Sequence, residues 1–167
     1  MRGTVLAVMF ILLCSGCDTG LSPLNEPAGF SGVIRFKNWP PPDSVLELRV
    51  VAFKTYPDDS SSILTALLLG NAVVYPPVGA TGFPFYRDSL EYEFTTKGTT
   101  LQVETYNYVA LAWRYGINFF ADWRPAGVYT TSPGTFDPAP VRVLLHKITR
   151  NVDIEVDYQN LPPKPWQ

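Results

Sequence analysis

The chain is poor in the residues that build most catalytic and metal centres. Its 167 residues include one histidine, two cysteines and two methionines. A single imidazole, His146, is a weak basis for zinc, which takes three or four His, Cys or carboxylate ligands. A Ser-His-Asp triad would have to use His146 as well. The sequence contains no H-E-x-x-H, no G-x-S-x-G, no Walker loop, no G-x-G-x-x-G and no EF-hand loop. Charge is also sparse, with 13 basic against 15 acidic residues and a formal net charge of −2. That balance excludes a basic footprint for nucleic acid, and no run of basic residues offers itself to anionic lipid. The longest apolar run, Val5 to Leu13, is too short to cross a ~30 Å bilayer core as a helix. Both cysteines, Cys14 and Cys17, follow directly on that run, so no disulfide framework holds the rest of the chain.

What stands at the start is a secretory signal. Arg2 supplies the positive charge, Val5 to Leu13 the apolar stretch, and Ser15 and Gly16 the small residues before a cut. Ser15-Gly16-Cys17 resembles the end of a bacterial lipobox. The resemblance implies that the Cys17 thiol is alkylated with diacylglycerol and that residues 1–16 are removed. Cys14 occupies a position where such boxes usually carry Leu. Bulky Leu13 before it makes Cys14 unsuitable as the acylated residue. The competing C-x-x-C redox reading belongs to a helix start in a folded βαβ unit, not to a signal segment. Two acyl chains hold a protein stably on a bilayer, so the expected partner at Cys17 is membrane lipid and the expected location is the bacterial cell envelope. Asp18 sits where some lineages read a sorting signal, which leaves inner and outer membrane both open.

Proline is abundant, 16 residues, about twice the usual ~5%. It clusters in "WPPP", "YPP", "PGTFDPAP" and "LPPKPW". Prolines between apolar runs break helices and mark loop ends, and aromatics make up 14% of the chain. Together these point to an all-β domain. Eight strands are predicted, over 29–37, 44–56, 71–75, 90–96, 101–113, 127–131, 140–147 and 151–158. Several alternate, as in Leu46, Leu48, Val50 and Ala52 against Glu47 and Arg49, which predicts one wet face per strand in antiparallel sheets. "SSSILTALLLGN" breaks the pattern. Serines at its start, a stripe of Ile63, Leu64, Leu67 and Leu68, and Gly70 at its end predict a short helix near residues 61–69 crossing one end of the sandwich. The expected organisation is a signal peptide (1–16), a flexible tether (17–28), a seven- to eight-stranded antiparallel β-sandwich (29–158) and a Pro-rich tail (159–167).

"GVIRFKNWPPPDSVLELRVVAFKTYP" together with "YNYVALAWRYG" resembles the prealbumin-like sandwiches of the carboxypeptidase regulatory-like type, over residues 29 to 158. The resemblance implies a seven- or eight-stranded fold with an accessory or binding role. Some prealbumin-like proteins hydrolyse a purine breakdown product with several histidines and a characteristic C-terminal tetrapeptide. One histidine and an ending in "PPKPWQ" do not carry that activity over.

The candidate ligand residues are aromatic. "WRYGINFFADWRPAGVY", residues 113–129, carries Trp113, Tyr115, Phe119, Phe120, Trp123 and Tyr129, and Trp39 lies in "NWPPP". Exposed Trp and Tyr rings stack on sugar C–H faces; buried ones close the ends of a sandwich core. Asp122 and Arg124 flank Trp123, where they could bond a ligand or each other. Core is the expectation for these rings, Trp123 included. Asp153, Glu155 and Asp157 repeat at period two, which reads as a solvated strand face more simply than as a calcium site. Pairing 140–147 with 151–158 as a C-terminal hairpin would set His146 against Asp153 and Arg142 against Asp157 on that face, with Val141, Val143 and Leu145 on the apolar one. The function expected is a membrane-anchored, non-catalytic binding or structural module without cofactor or metal, touching another envelope protein or a glycan. The alternatives are a glycan-binding lipoprotein using Trp and Tyr of residues 113–129 and, further off, an envelope hydrolase.

Overall fold

The computed structural model describes residues 26–166, so the signal segment, the lipidation site Cys17 and most of the tether lie outside the described residues. The order of elements is β1 (Gly29–Lys37), a 3-10 turn (Pro42–Ser44), β2 (Glu47–Phe53), α1 (Ser60–Leu68), β3 (Ala72–Tyr75), β4 (Ser89–Thr95), β5 (Thr105–Tyr106), β6 (Tyr108–Arg114), β7 (Trp123–Val128), β8 (Val141–Arg142), β9 (Ile148–Thr149) and β10 (Ile154–Asp157). The domain is all-β apart from one short helix, as the strand pattern predicts.

Two sheets face each other. One has the order β10-β1-β4 with β9 also on β1; the other has the order β3-β2-β6-β7. Their inner faces share one core, in which Phe30, Ile34, Phe36 and Phe94 meet Leu48, Val50, Leu111 and Trp113. Alternation explains β1: Ile34 and Phe36 are buried while Arg35 and Lys37 are exposed. At one side the sheets nearly close. Gly127 of β7 lies so near β10 that a Cβ there would fall 2.4 Å from the Glu155 carbonyl oxygen, and only glycine permits that approach.

The sheets are mostly antiparallel, as expected, with β1 parallel to β9 and β10. Three expectations need correction. The C-terminal hairpin does not exist. Val141 and Arg142 pair with Tyr106 and Thr105 in a separate two-stranded sheet, while Ile154 pairs with Ile34. The alternation of both segments was readable, but alternation states which face a residue takes and not which strand it joins. The Arg49 face of β2 is not wet. Arg49 is 5% exposed, because the 76–80 turn folds over it and its guanidinium donates to the carbonyls of Pro76, Pro77 and Ala80. Lastly, α1 covers the outer face of the β2-β6 sheet instead of an end. Ile63, Ala66 and Leu67 pack on Phe53, Tyr108 and Val128, and Leu64 and Leu68 point to solvent.

The stop of α1 is as expected. Gly70 is left-handed at φ 73°. Its N–H donates to Leu67 and that of Asn71 donates to the Ala66 carbonyl at 2.8 Å, the two bonds of a Schellman ending. The proposed capping serines have side chains outside the described ones.

The acidic row is a solvated face, but its partners come from β1. Arg35 bridges Asp153 at 3.0 Å and Glu155 at 3.3 Å, and Lys37 reaches Glu155. Asn38 donates to Asp157 and holds its carboxyl below the usual range. His146 is exposed, in a turn with φ 54°.

Candidate functional site

The registers define two ends. Lys37 of β1 leads into Trp39, which stacks on Phe36 (4.6 Å between ring centroids) and on Tyr158 (4.9 Å). Tyr158 packs edge-on to Trp113 at 5.1 Å, and Trp113 edge-on to Tyr115 at 5.8 Å. An unbroken aromatic chain therefore crosses the end formed by Lys37, Glu47 and Arg114. The opposite end holds Gly29, Phe53 and Tyr108. There Glu26 precedes β1, and the Gly29 N–H donates to Lys147.

At the aromatic end, antiparallel β6 and β7 set Trp113 opposite Arg124 and Arg114 opposite Trp123. Cross-strand partners share a face, so these pairs look opposite ways. Trp113 is 8% exposed, and its indole N–H donates to the Ser44 carbonyl at 2.7 Å. Beside it opens a groove of about 420 Å³ lined by Ser44, Trp113, Tyr115, Arg124 and Lys164. Arg124 donates through Nη2 to the Pro162 carbonyl at 3.2 Å. Its Nε is buried with no hydrogen-bond partner, and so is the Tyr158 hydroxyl; among the described residues these are the buried side-chain polar atoms left unsatisfied. Burial pushes the Tyr158 phenol well above its ordinary pKa. The Lys164 ammonium sits 5.8 Å from the Tyr115 ring centroid. Neither Arg124 nor Lys164 enters an ion pair among the described residues.

The other face of the pair is self-contained. Arg114 lies over Phe119 and Trp123 and bonds Glu47 at 3.0 Å. The Trp123 indole donates to the Phe119 carbonyl. Asp122 latches its own loop: Oδ2 accepts from the Asn118 N–H at 2.8 Å, and its carbonyl accepts from Tyr115. Of the residues singled out from sequence, Trp113, Tyr115 and Arg124 converge on the groove. Trp39 joins the aromatic chain behind it, half-buried. Trp123 is half-buried on the opposite face, and Asp122 belongs to the loop. Sequence reasoning missed Lys164, which it assigned to a tail. The available signal was a cation between prolines in "PPKPW", a stiff segment able to dock rather than trail.

A second depression, of about 520 Å³, lies at the opposite end and gathers Arg142, Lys147 and Arg150 around Glu26. The sequence shows no basic run because these cations come together only through the turn between β8 and β9. Among the described residues no three His, Cys, Asp or Glu side chains are grouped to hold a metal ion, and no helix is long and apolar enough to cross a membrane. Compared with known proteins, the chain matches no family model, no curated protein and no solved structure.

Proposed function

We propose that this chain is a lipid-anchored cell-envelope lipoprotein whose β-sandwich is a non-catalytic binding module, with the groove beside Trp113 as its binding site. The observation that carries the site is the convergence of two cations, Arg124 and Lys164, on a groove walled by Tyr115 and Trp113, with neither cation in an ion pair among the described residues.

The anchor reading rests on Ser15-Gly16-Cys17 after the apolar run. The fold suits it. The chain reaches the domain at Glu26, at the end opposite the groove, so an anchored domain presents the groove away from the bilayer. The basic depression and exposed Leu144 and Leu145 lie at the anchored end, where cations favour an anionic surface by roughly 1 kcal/mol each. Two facing sheets also suit the prealbumin-like resemblance, which we retain as part of this proposal. The glycan form of the reading is favoured by Tyr115, a half-buried ring that walls the groove.

Fractionation tests the anchor. Wild type is expected in membranes and detergent extracts, and Cys17→Ser as uncleaved precursor or in the soluble fraction. A Cys17→Ser protein processed and retained in membranes like wild type would overturn the lipoprotein reading.

A further inference from the structure

We propose that the groove takes an anionic sugar: a ring bearing a carboxylate or phosphoryl group, its anion received by Arg124 and Lys164 and its C–H face packed on the half-buried Tyr115 ring. This deepens the binding-module reading and rests on it.

The charge around the groove points one way. Two cations line it and no carboxylate does. Asp122 and Glu47 are engaged elsewhere: Asp122 holds Asn118, and the Glu47 carboxylate takes Arg49 and Arg114. Among the described residues Arg124 and Lys164 enter no ion pair. The guanidinium is fixed in place, since Nη2 is tied to Pro162 and its base emerges from β7 opposite Trp113. A planar fork held in this way suits the two oxygens of a carboxylate or phosphoryl group. Aromatic walls supply the remaining requirement of a sugar, an apolar surface for its ring face. The volume, about 420 Å³, falls in the range of small-ligand pockets. The same arrangement fits a neutral glycan poorly, because the two cations would be desolvated without a partner.

The test uses the full chain purified in detergent from membranes, titrated with two matched pairs: trigalacturonic acid against its methyl ester, and mannose 6-phosphate against mannose. Binding is read by calorimetry and by the tryptophan fluorescence change. The anionic member of at least one pair is expected to bind about tenfold or more tighter than its neutral partner, a difference of about 1.4 kcal/mol. Which pair responds distinguishes carboxylate from phosphoryl. Affinity should fall as salt rises from about 50 to about 500 mM. Arg124→Gln and Lys164→Gln should each weaken binding about tenfold. Arg124→Met should remove binding, but it also breaks the Nη2 bond to Pro162, so Lys164→Gln, which keeps that bond, is the variant that should bind more weakly while melting like wild type. Equal affinity for charged and neutral members, no binding by any of the four, or undiminished binding in Lys164→Gln would overturn the proposal. Chromatography of the same mixtures separates the two readings: cleavage of trigalacturonic acid would contradict the non-catalytic module while leaving the anion site intact.

Discussion

The Tyr92 hydroxyl donates to the Val152 carbonyl at 2.6 Å, and a Cβ on Gly32 would lie 2.1 Å from that same carbonyl oxygen. Gly32 therefore lets the chain between β9 and β10 press against β1, and Tyr92 pins it from β4. The pairing offset shifts by one residue there, from Gly29 with Ile148 to Ile34 with Ile154, and Asn151 takes φ 62° to absorb it. Gly32→Ala should cost roughly 1–3 kcal/mol or more, since backbone and not a pliable side chain occupies the space. Tyr92→Phe should cost about 1–3 kcal/mol by leaving a buried carbonyl unpaired. Urea unfolding checks both, and a Gly32→Ala protein as stable as wild type would contradict the close approach.

Alkaline pH should destabilise the fold. Burial, and next the Asp153 charge, raise the Tyr92 phenol above its ordinary 10.0. Burial likewise raises Tyr108 and Tyr158, helped by Tyr56 and Tyr86 respectively. The folded protein keeps these protons at pH values where the unfolded chain releases them. More protons bound in the native state means stability falls as pH rises. The loss should begin near pH 10, the unfolded value, with nothing comparable below it. Urea midpoints between pH 8 and pH 11 should drop, and the drop should be shallower in Tyr92→Phe. A flat profile across that range would count against the buried phenols.

Arg49 should matter far more than its place in an alternating strand suggests. It pairs with Glu47 and ties down three carbonyls of the 76–80 turn. Arg49→Ala leaves these groups unpaired and should cost roughly 3–5 kcal/mol. Arg35→Ala, on the exposed ladder with Asp153 and Glu155, should leave stability almost unchanged, because water screens such pairs. Thermal melts of the two variants should therefore separate clearly, and equal melting temperatures would refute the contrast.

The two tryptophans of the β6–β7 pair should part in the same way. Trp113 is buried and hydrogen-bonded to Ser44, so Trp113→Ala should cost roughly 3–5 kcal/mol. Trp123 is half-buried against Phe119 and Arg114, and its truncation should cost about half as much. Calorimetric unfolding that ranks Trp123→Ala as the more damaging change would contradict the assignment of faces.

What could be read from the sequence was local. The bounds of β1 match Gly29–Lys37 because turn residues and alternation mark them directly, and Gly70 stops α1 because only its left-handed conformation completes the ending. Ile154, Val156 and Tyr158 are buried and Glu155 is exposed, as their alternation requires. The partner of that strand was not legible. A three-residue gap between two apolar segments looks like a hairpin, yet β10 joins β1, 120 residues earlier. Left-handed His146 and Asn151 flank that gap, which itself holds β9, and turn the chain into another sheet. Leu144 and Leu145 are left exposed. The site was half legible for the same reason. Trp113, Tyr115 and Arg124 lie within one hairpin, whereas Lys164 and the unsatisfied Tyr158 hydroxyl arrive from the far end of the chain.

The anchor is the central claim, and the intact mass of the protein extracted from its native membranes tests it most directly. The account predicts a chain that begins at Cys17, heavier than the polypeptide by at least a thioether-linked diacylglycerol, with the added mass lost in Cys17→Ser. A mature chain that begins at another residue, or one whose Cys17 carries no lipid, would contradict it.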